Sequence, residues 1–175
     1  MLNKTTRLLG LVALGVLTGC GGGGGGGAPA VDPAATVMAK LQADTSTVLA
    51  LDRTTSVAGP DANGDGVRDD VATWIAAQGY TSDVSKAATQ LAKAYQVVLT
   101  VPSTDDTALR AARLASSDAV ECVMQRSASI DAGYKMVADL RRVTVNTDAR
   151  VTAYLKYVEL VNDTVARAPE GDGCV

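Results

Sequence analysis

Apolar residues recur at intervals of three and four along most of this 175-residue chain, which is the period of an α-helix. The clearest helix is predicted from Ser82 to about Thr100, and Pro102 ends it. Its apolar residues on one face are Val84, Ala88, Leu91, Tyr95 and Val98. No segment alternates convincingly with the period of two that a half-buried strand would show. The pattern therefore predicts an all-α fold.

Two further helices are predicted before this one. Asp32 suits an N-cap and Pro33 suits the first helical turn, so a helix is expected from there to about Leu51. Its predicted inner residues are Val37, Met38, Leu41 and Val48. The helical pattern stops over residues 52–66, and a second helix is expected from about Asp69 to Gln78, before Gly79.

The chain after Pro102 predicts the rest of a small bundle of five or six helices. Thr104, Asp105 and Asp106 supply a cap and two acids where the helix dipole favours them. The helix that they open is predicted to bury Leu109, Ala112, Ala119 and Val123. Ser127 to Ser129 break or bend it, and the next predicted face is Ile130, Tyr134, Val137 and Leu140. The last helix begins near Thr147 or Asp148, with the predicted inner residues Val151, Tyr154, Val158, Val161 and Val165.

The first twenty residues have the pattern of an export signal. Lys4 and Arg7 precede a short, largely apolar stretch over residues 8–19, which is shorter than the about 20 residues that a spanning helix needs. This stretch ends in Leu-Thr-Gly-Cys at residues 17–20, which resembles the lipobox of bacterial lipoproteins. The resemblance implies that residues 1–19 are a signal peptide and that Cys20 is lipidated. The alternative is an ordinary signal peptide followed by a chance cysteine.

A lipoprotein signal predicts a location in the bacterial cell envelope. Two or three acyl chains hold a protein on a membrane far more firmly than one chain does, so Cys20 would be a durable anchor. Gly21 stands where an aspartate usually signals retention in the inner membrane, which favours the outer membrane. Residues 20–31 include seven consecutive glycines and are expected to be a flexible linker to the helical domain at 32–175.

The three cysteines are predicted to have two different roles. If Cys20 is acylated, Cys122 and Cys174 remain as an even pair in a compartment that permits oxidation. A disulfide between them would fasten residues 168–175 to the helix that contains Cys122. The alternative is two free thiols, with Cys122 buried and Cys174 exposed.

The segment DANGDGVRDD at residues 61–70 has oxygen-bearing side chains at alternate positions, as the first part of a calcium loop does. It matches the first nine positions of an EF-hand loop and also resembles the loops of dockerins and thrombospondin type 3 repeats. The resemblance implies that Gly66 makes the sharp turn and Val67 offers its backbone carbonyl. The side-chain oxygens would come from Asp61, Asn63, Asp65 and, directly or through water, Asp69. The expected cofactor is a weakly bound, structural Ca²⁺ that fixes the loop.

The resemblance fails at the twelfth position. An EF-hand has a bidentate glutamate there, whereas the loop at 61–72 ends in Ala72. Further oxygens would have to come from water, from Asp70, or from the more distant Asp52 or Asp83. The alternative is an aspartate-rich turn whose side chains only cap the following helix.

The amino-acid composition excludes some classes of function but does not identify a particular one. The chain has no histidine, which excludes catalytic pairs and zinc sites built on imidazole. Its net charge of −3 argues against a nucleic-acid partner. The first expectation is a non-enzymatic envelope lipoprotein whose partners are the membrane and another envelope protein. The alternative is a periplasmic small-ligand binder or hydrolase that uses two of Asp105, Asp106, Asp118, Glu121, Asp131 and Asp139.

Overall fold

The computed structural model describes residues 50–162, 164 and 171–175. These residues form five helices and contain no strand, so the predicted small all-α bundle is confirmed. The helices are α1 (Asp69–Ala77), α2 (Ser82–Thr100), α3 (Asp106–Arg126), α4 (Ile130–Thr144) and α5 (Asp148–Val161). None of these five is both long enough and apolar enough to cross a membrane.

Helix α2 is the centre of the bundle and contacts each of the other four helices. Its predicted stripe is confirmed, since Ala88, Leu91, Tyr95 and Val98 are buried and Val84 packs partly buried against the core. Buried alanines on the same helix, Ala87, Ala92 and Ala94, let its neighbours approach closely. The larger core cluster contains residues of α1, α2, α3 and α4, including Trp74 and Leu91. A smaller cluster around Tyr157 joins α5 to α2 and α3.

Side-chain caps set the helix boundaries that the sequence predicts. Asp105 accepts a hydrogen bond from the N–H of Ala108 at 2.9 Å and begins α3. Ser129 accepts one from Ala132 at 3.2 Å, so the chain breaks between α3 and α4 rather than bending. Thr147 begins α5 in the same way. Each cap satisfies one N–H that the first turn would otherwise leave unpaired.

The predicted inner face of α4 is partly wrong. Ile130 and Tyr134 are 70% and 62% exposed, whereas Leu140 is buried and Val137 packs partly buried against the core. The remaining buried residues of the helix are Gly133, Met136, Val143 and Thr144. Helix α4 approaches α3 at Gly133, where a Cβ atom would lie 2.6 Å from the sulfur of Met124. This contact at a residue without a side chain turns Tyr134 to the surface.

The predicted inner face of α5 is also partly wrong. Val151 and Val158 are 40% and 39% exposed, and the buried residues are Arg150 and Tyr157. Tyr154 and Val161 are partly buried, as predicted, against the smaller cluster. A prediction from apolar residues alone selects Val151 and Val158, each one position after a residue that is buried. It misses the true inner face because that face includes a charged residue, Arg150.

The predictions for the amino-terminal region lie outside the described residues. They are the signal peptide at 1–19, lipidated Cys20, the linker at 20–31 and most of the helix from Pro33; Val165 is outside as well. At the end of that predicted helix, Ala50 is in a turn and Leu51 is in a bend. Leu51 is 7% exposed and belongs to the larger core cluster, so the chain enters the described domain through a buried side chain.

Candidate functional site

The loop at 61–69 is a tight turn organised by its first aspartate. One oxygen of Asp61 accepts the N–H of Asp65 at 3.2 Å, and the other accepts that of Gly66 at 2.9 Å. Gly64 and Gly66 have φ angles of 67° and 84°, a region that only glycine enters without strain. The turn therefore requires glycine at the position where the sequence predicts one.

The middle of the loop is held by two more of its predicted ligands, Asn63 and Asp65. The Asn63 carbonyl oxygen accepts the N–H of Asp65 at 3.2 Å, and its amide nitrogen donates to Asp65 at 2.8 Å. The second oxygen of Asp65 accepts the N–H of Val67 at 2.8 Å. The Val67 N–H, then the Asn63 amide and the nearby charge of Lys93, hold the pKa of Asp65 below its ordinary value. This carboxylate is ionised at neutral pH.

Asp69 closes the loop from the first turn of α1. Its two oxygens accept the N–H of Ala62 at 3.1 and 3.2 Å, and its own N–H donates to the Pro60 carbonyl at 2.9 Å. Val67 lies between, with its side chain buried in the core. The structure therefore brings the predicted ligands Asp61, Asn63, Asp65, Val67 and Asp69 into one closed loop.

The oxygen atoms of these side chains are ligands of the kind that a hard cation prefers. Each carboxylate oxygen carries two lone pairs, and the bonds described above use only one of them. Ca²⁺ prefers such oxygens, so these residues could hold it without giving up the loop's own hydrogen bonds. Within the described residues, however, no three Asp, Glu, Cys or His side chains are gathered closely enough to form a metal site. The carboxylates accept from backbone N–H groups and, at Asp65, also from the Asn63 side-chain amide.

The three acids that could replace the missing glutamate have other partners. Asp52 and Asp70 each pair with an arginine, and the exposed Asp83 lies 3.8 Å from Lys86 on α2. Ala72 itself is on α1 and packs partly buried against the core. The rest of a calcium coordination sphere would therefore have to be water or backbone oxygen.

Beside the loop, Arg68 is buried and pairs with Asp70. Its guanidinium donates to both oxygens of that carboxylate, at 2.5 and 3.0 Å. It also donates to the carbonyls of Val143 and Thr144 at the end of α4, at 2.9 and 3.1 Å. Arg68 is 1% exposed, so these bonds form where water does not compete. They fasten the base of the loop to the far side of the bundle.

A second buried arginine, Arg150 on α5, holds the segment before the loop. It donates to the Asp52 carboxylate at 2.6 Å and to the carbonyls of Ser56 and Val57 at 2.8 and 3.2 Å. Asn146 joins the two arginines, because its side-chain oxygen accepts from Arg150 at 2.8 Å and from Arg68 at 3.3 Å. Together Arg68, Arg150, Asp52, Asp70 and Asn146 form what we call the arginine network.

The sequence does not reveal the arginine network. Within residues 146–150, Thr147 caps α5 and Arg150 is fully buried. One signal was available: Arg150 lies at helical spacing from Tyr154, Tyr157 and Val161, which face the bundle. A polar residue in register with an apolar stripe can mark a buried partner.

The predicted disulfide is present between Cys122 and Cys174, whose Cα atoms are 4.8 Å apart. The carboxyl-terminal residues 171–175 lie against α3, where a Cβ at Gly173 would come within 2.3 Å of the Asp118 carbonyl. Gln90 on α2 donates to the Gly173 carbonyl at 2.7 Å, and Arg126 pairs with Asp172. The described end of the chain is thus fastened to two helices.

The six acids considered for catalysis differ in their partners and in their exposure. Asp105 caps α3, Glu121 accepts from Gln125 at 2.7 Å, and Asp139 pairs with Lys135 and Arg142. Asp106 and Asp131 are exposed in first turns, and Asp118 is partly buried. Capping therefore explains Asp105, and ion pairing explains Asp139.

Comparison with known proteins adds no relative to this picture. The chain matches no model of a protein family, and neither the curated proteins nor the solved structures contain one that is detectably similar. The described domain is therefore defined by its own features, which are a five-helix bundle, a disulfide to the carboxyl terminus and a closed acidic loop.

Proposed function

We propose that this chain is a lipid-anchored protein of the bacterial envelope, with a non-enzymatic structural or protein-interaction role and a structural Ca²⁺ in the loop at 61–72. Cys20 would hold it to the membrane, the outer membrane in a cell that has two. Residues 20–31 would keep the helical domain close to the bilayer. The domain would then meet its partner, an envelope protein, at that surface.

The disulfide is the observation that carries the envelope assignment. It joins Cys122 to Cys174 and so accounts for both cysteines other than Cys20. Protein disulfides persist in the periplasm and outside the cell, and are rare in reducing cytoplasm. The one remaining cysteine, Cys20, lies in a lipobox-like sequence at the end of the predicted export signal. This is the arrangement expected of an exported lipoprotein.

Mass spectrometry of the protein from its native cell tests the anchor. We expect an amino terminus at Cys20 with the added mass of acyl chains, and loss of membrane association in Cys20→Ala. Cys122→Ala with Cys174→Ala is the matched control, because it removes thiols but should leave the protein on the membrane. An unmodified Cys20, or a retained leader, would contradict the proposal.

The closed loop supports the calcium part. Three carboxylates and one amide oxygen, from Asp61, Asn63, Asp65 and Asp69, lie in a segment of nine residues. The cationic side chain that acts on Asp65 is Lys93, whereas the neighbouring Asp52 and Asp70 have arginines. A divalent ion would relieve the mutual repulsion of these charges.

Thermal unfolding of the fragment from residue 28 onward, with and without Ca²⁺, tests the metal site. If the dissociation constant is about 1 mM, 10 mM Ca²⁺ stabilises the folded state by about 1.4 kcal/mol, which is a rise of a few degrees in Tm. Asp61→Ala with Asp65→Ala should abolish the rise.

The matched control for that experiment is Asp131→Ala with Asp148→Ala. Both residues are exposed acids in first turns, outside the loop, and their removal changes the net charge by the same amount. This control should keep the full rise in Tm. A midpoint that does not respond to millimolar Ca²⁺, or a rise that survives the loop substitutions, would refute the metal site.

A further inference from the structure

Helix α5 exposes an apolar stripe that flanks the face packed on the bundle. Val151, Leu155 and Val158 are 40%, 59% and 39% exposed, and their spacing of four and three places them on one face. The face that packs on α2 and α3, which includes Tyr157, lies about 100° around the helix from this stripe. Three large apolar side chains at helical spacing on one short helix form a surface suited to another helix.

The stripe continues into a groove at the beginning of α5. This groove is a cavity of about 340 Å³, and its walls include Val143 and Val145 at the end of α4 as well as Val151. Leu51, the point at which the chain enters the described domain, forms another part of its wall. The rest of its wall is polar and consists of Arg53, Arg142, Asn146, Thr147 and Asp148. Val151 belongs to both features, so the groove and the stripe make one continuous surface, which we call the α5 surface.

We propose that the α5 surface is the docking site of residues 33–49 of the same chain. These residues lie outside the described part, and they end where the surface begins. Asp52 is held by Arg150 at 2.6 Å, and its carbonyl is held by Asn146 at 2.9 Å, both at the start of α5. The chain that leads to Leu51 is therefore delivered directly to the groove.

The sequence of this segment supplies a matching face. Four of its apolar residues fall at helical spacing, namely Val37, Met38, Leu41 and Val48. A helix over these 17 residues would be about 25 Å long, against about 21 Å for the 14 residues of α5. The two lengths agree, so a helix whose carboxyl end lies at the groove can run along the whole stripe.

Photo-crosslinking in the full chain tests this contact. Leu155 is 59% exposed, so a benzophenone amino acid can replace it without disturbing the core. We expect illumination to join position 155 to a peptide within residues 33–49 of the same molecule. The control is the same probe at Tyr134, which is similarly exposed but lies on α4, and it should not join that segment. Crosslinks from 155 only to lipid, to a second copy or to another protein would overturn the proposal.

Hydrogen exchange of the full chain gives a second, independent measurement. Leu155→Asp with Val158→Asp places two charges in the α5 surface, and we expect amide exchange over residues 33–49 to rise at least tenfold. Ile130→Asp with Tyr134→Asp, the matched pair on α4, should leave that exchange unchanged. The same exchange over 33–49 in the first variant as in the unaltered chain would overturn the proposal.

Discussion

Two groups of acidic residues lie side by side in this molecule and are neutralised in different ways. Asp52 and Asp70 have side chains only 12% and 11% exposed, and each pairs with an arginine that is fully buried. Asp61, Asp65 and Asp69 lie a few residues away, and their carboxylates bond to backbone N–H groups. The first group has its own arginines, whereas the charge that acts on the second group comes from the nearby Lys93.

The difference follows from what burial demands. A carboxylate taken out of water is costly unless a cation and further hydrogen bonds accompany it, and a planar guanidinium can supply both to one carboxylate. An exposed carboxylate is already hydrated, so the fold can form without a cation bound to it. The arginine network therefore stabilises the fold itself, whereas the loop at 61–69 is where the proposed Ca²⁺ would act.

The largest expected effect comes from breaking the arginine network at Arg150. Arg150→Ala leaves the Asp52 carboxylate and the carbonyls of Ser56 and Val57 without their donor. Removal of one partner from a buried ion pair typically costs about 3–5 kcal/mol, so we expect the free energy of unfolding to fall by that amount. Denaturant titration measures it.

Arg142→Ala is the matched control for this prediction. Arg142 also pairs with an aspartate, Asp139, at 3.2 Å, but its side chain is 70% exposed. Exposed pairs contribute about 0–1 kcal/mol, so this variant should stay close to the unaltered protein. Equal losses in the two variants would show that burial does not distinguish the two arginines.

A smaller effect is expected from Asp52 and depends on pH. The N–H of Thr54, followed by the side chain of Arg150, lowers the pKa of Asp52 from 3.8 to about 2. The folded pKa lies below the unfolded one, so this stabilisation is present above pH 4 and is lost as the pH falls towards 2. After allowance for screening by solvent, the lowered pKa corresponds to about 1–2 kcal/mol of folding free energy at neutral pH.

Asp52→Asn should remove this part of the pH dependence. We expect unfolding free energies measured between neutral pH and the folded pKa of about 2 to decline less steeply in the variant than in the unaltered chain. Asp148→Asn, at an exposed first-turn acid, is the control and should keep the original slope. Parallel declines in Asp52→Asn and the unaltered chain would contradict the role given to this carboxylate.

The sequence predicts the parts of the fold that depend on local pattern. The stripe on α2 is predicted correctly because five apolar residues share one face, and the caps at Asp105, Ser129 and Thr147 lie where the chain supplies a suitable oxygen. The turn at Gly66 is local in the same sense. The disulfide follows from counting cysteines rather than from geometry.

The parts that the sequence misses depend on distant partners. Arg150 reaches Ser56, 94 positions away, and Arg68 reaches Thr144, 76 positions away. Both side chains are held by bonds to backbone carbonyls, which are identical in every residue and leave no mark in the sequence. The predicted face of α5 is partly wrong for this reason, since an arginine is ordinarily expected at the surface.

The smallest expected effect concerns Lys93, the cation that acts on Asp65. Its side chain lies over Gly66, where a Cβ would be 3.0 Å from its Cε atom. Lys93→Gln keeps most of the side chain's length and removes the charge, so without metal the stability of the folded state should change little. With this competing charge gone, Ca²⁺ should bind about two- to threefold more tightly at low salt, as measured by calorimetric titration. Lys86→Gln on the same helix, whose partner is Asp83, is the control and should leave Ca²⁺ affinity unchanged. Weaker binding in Lys93→Gln would mean that Lys93 supports the loop rather than competes for it.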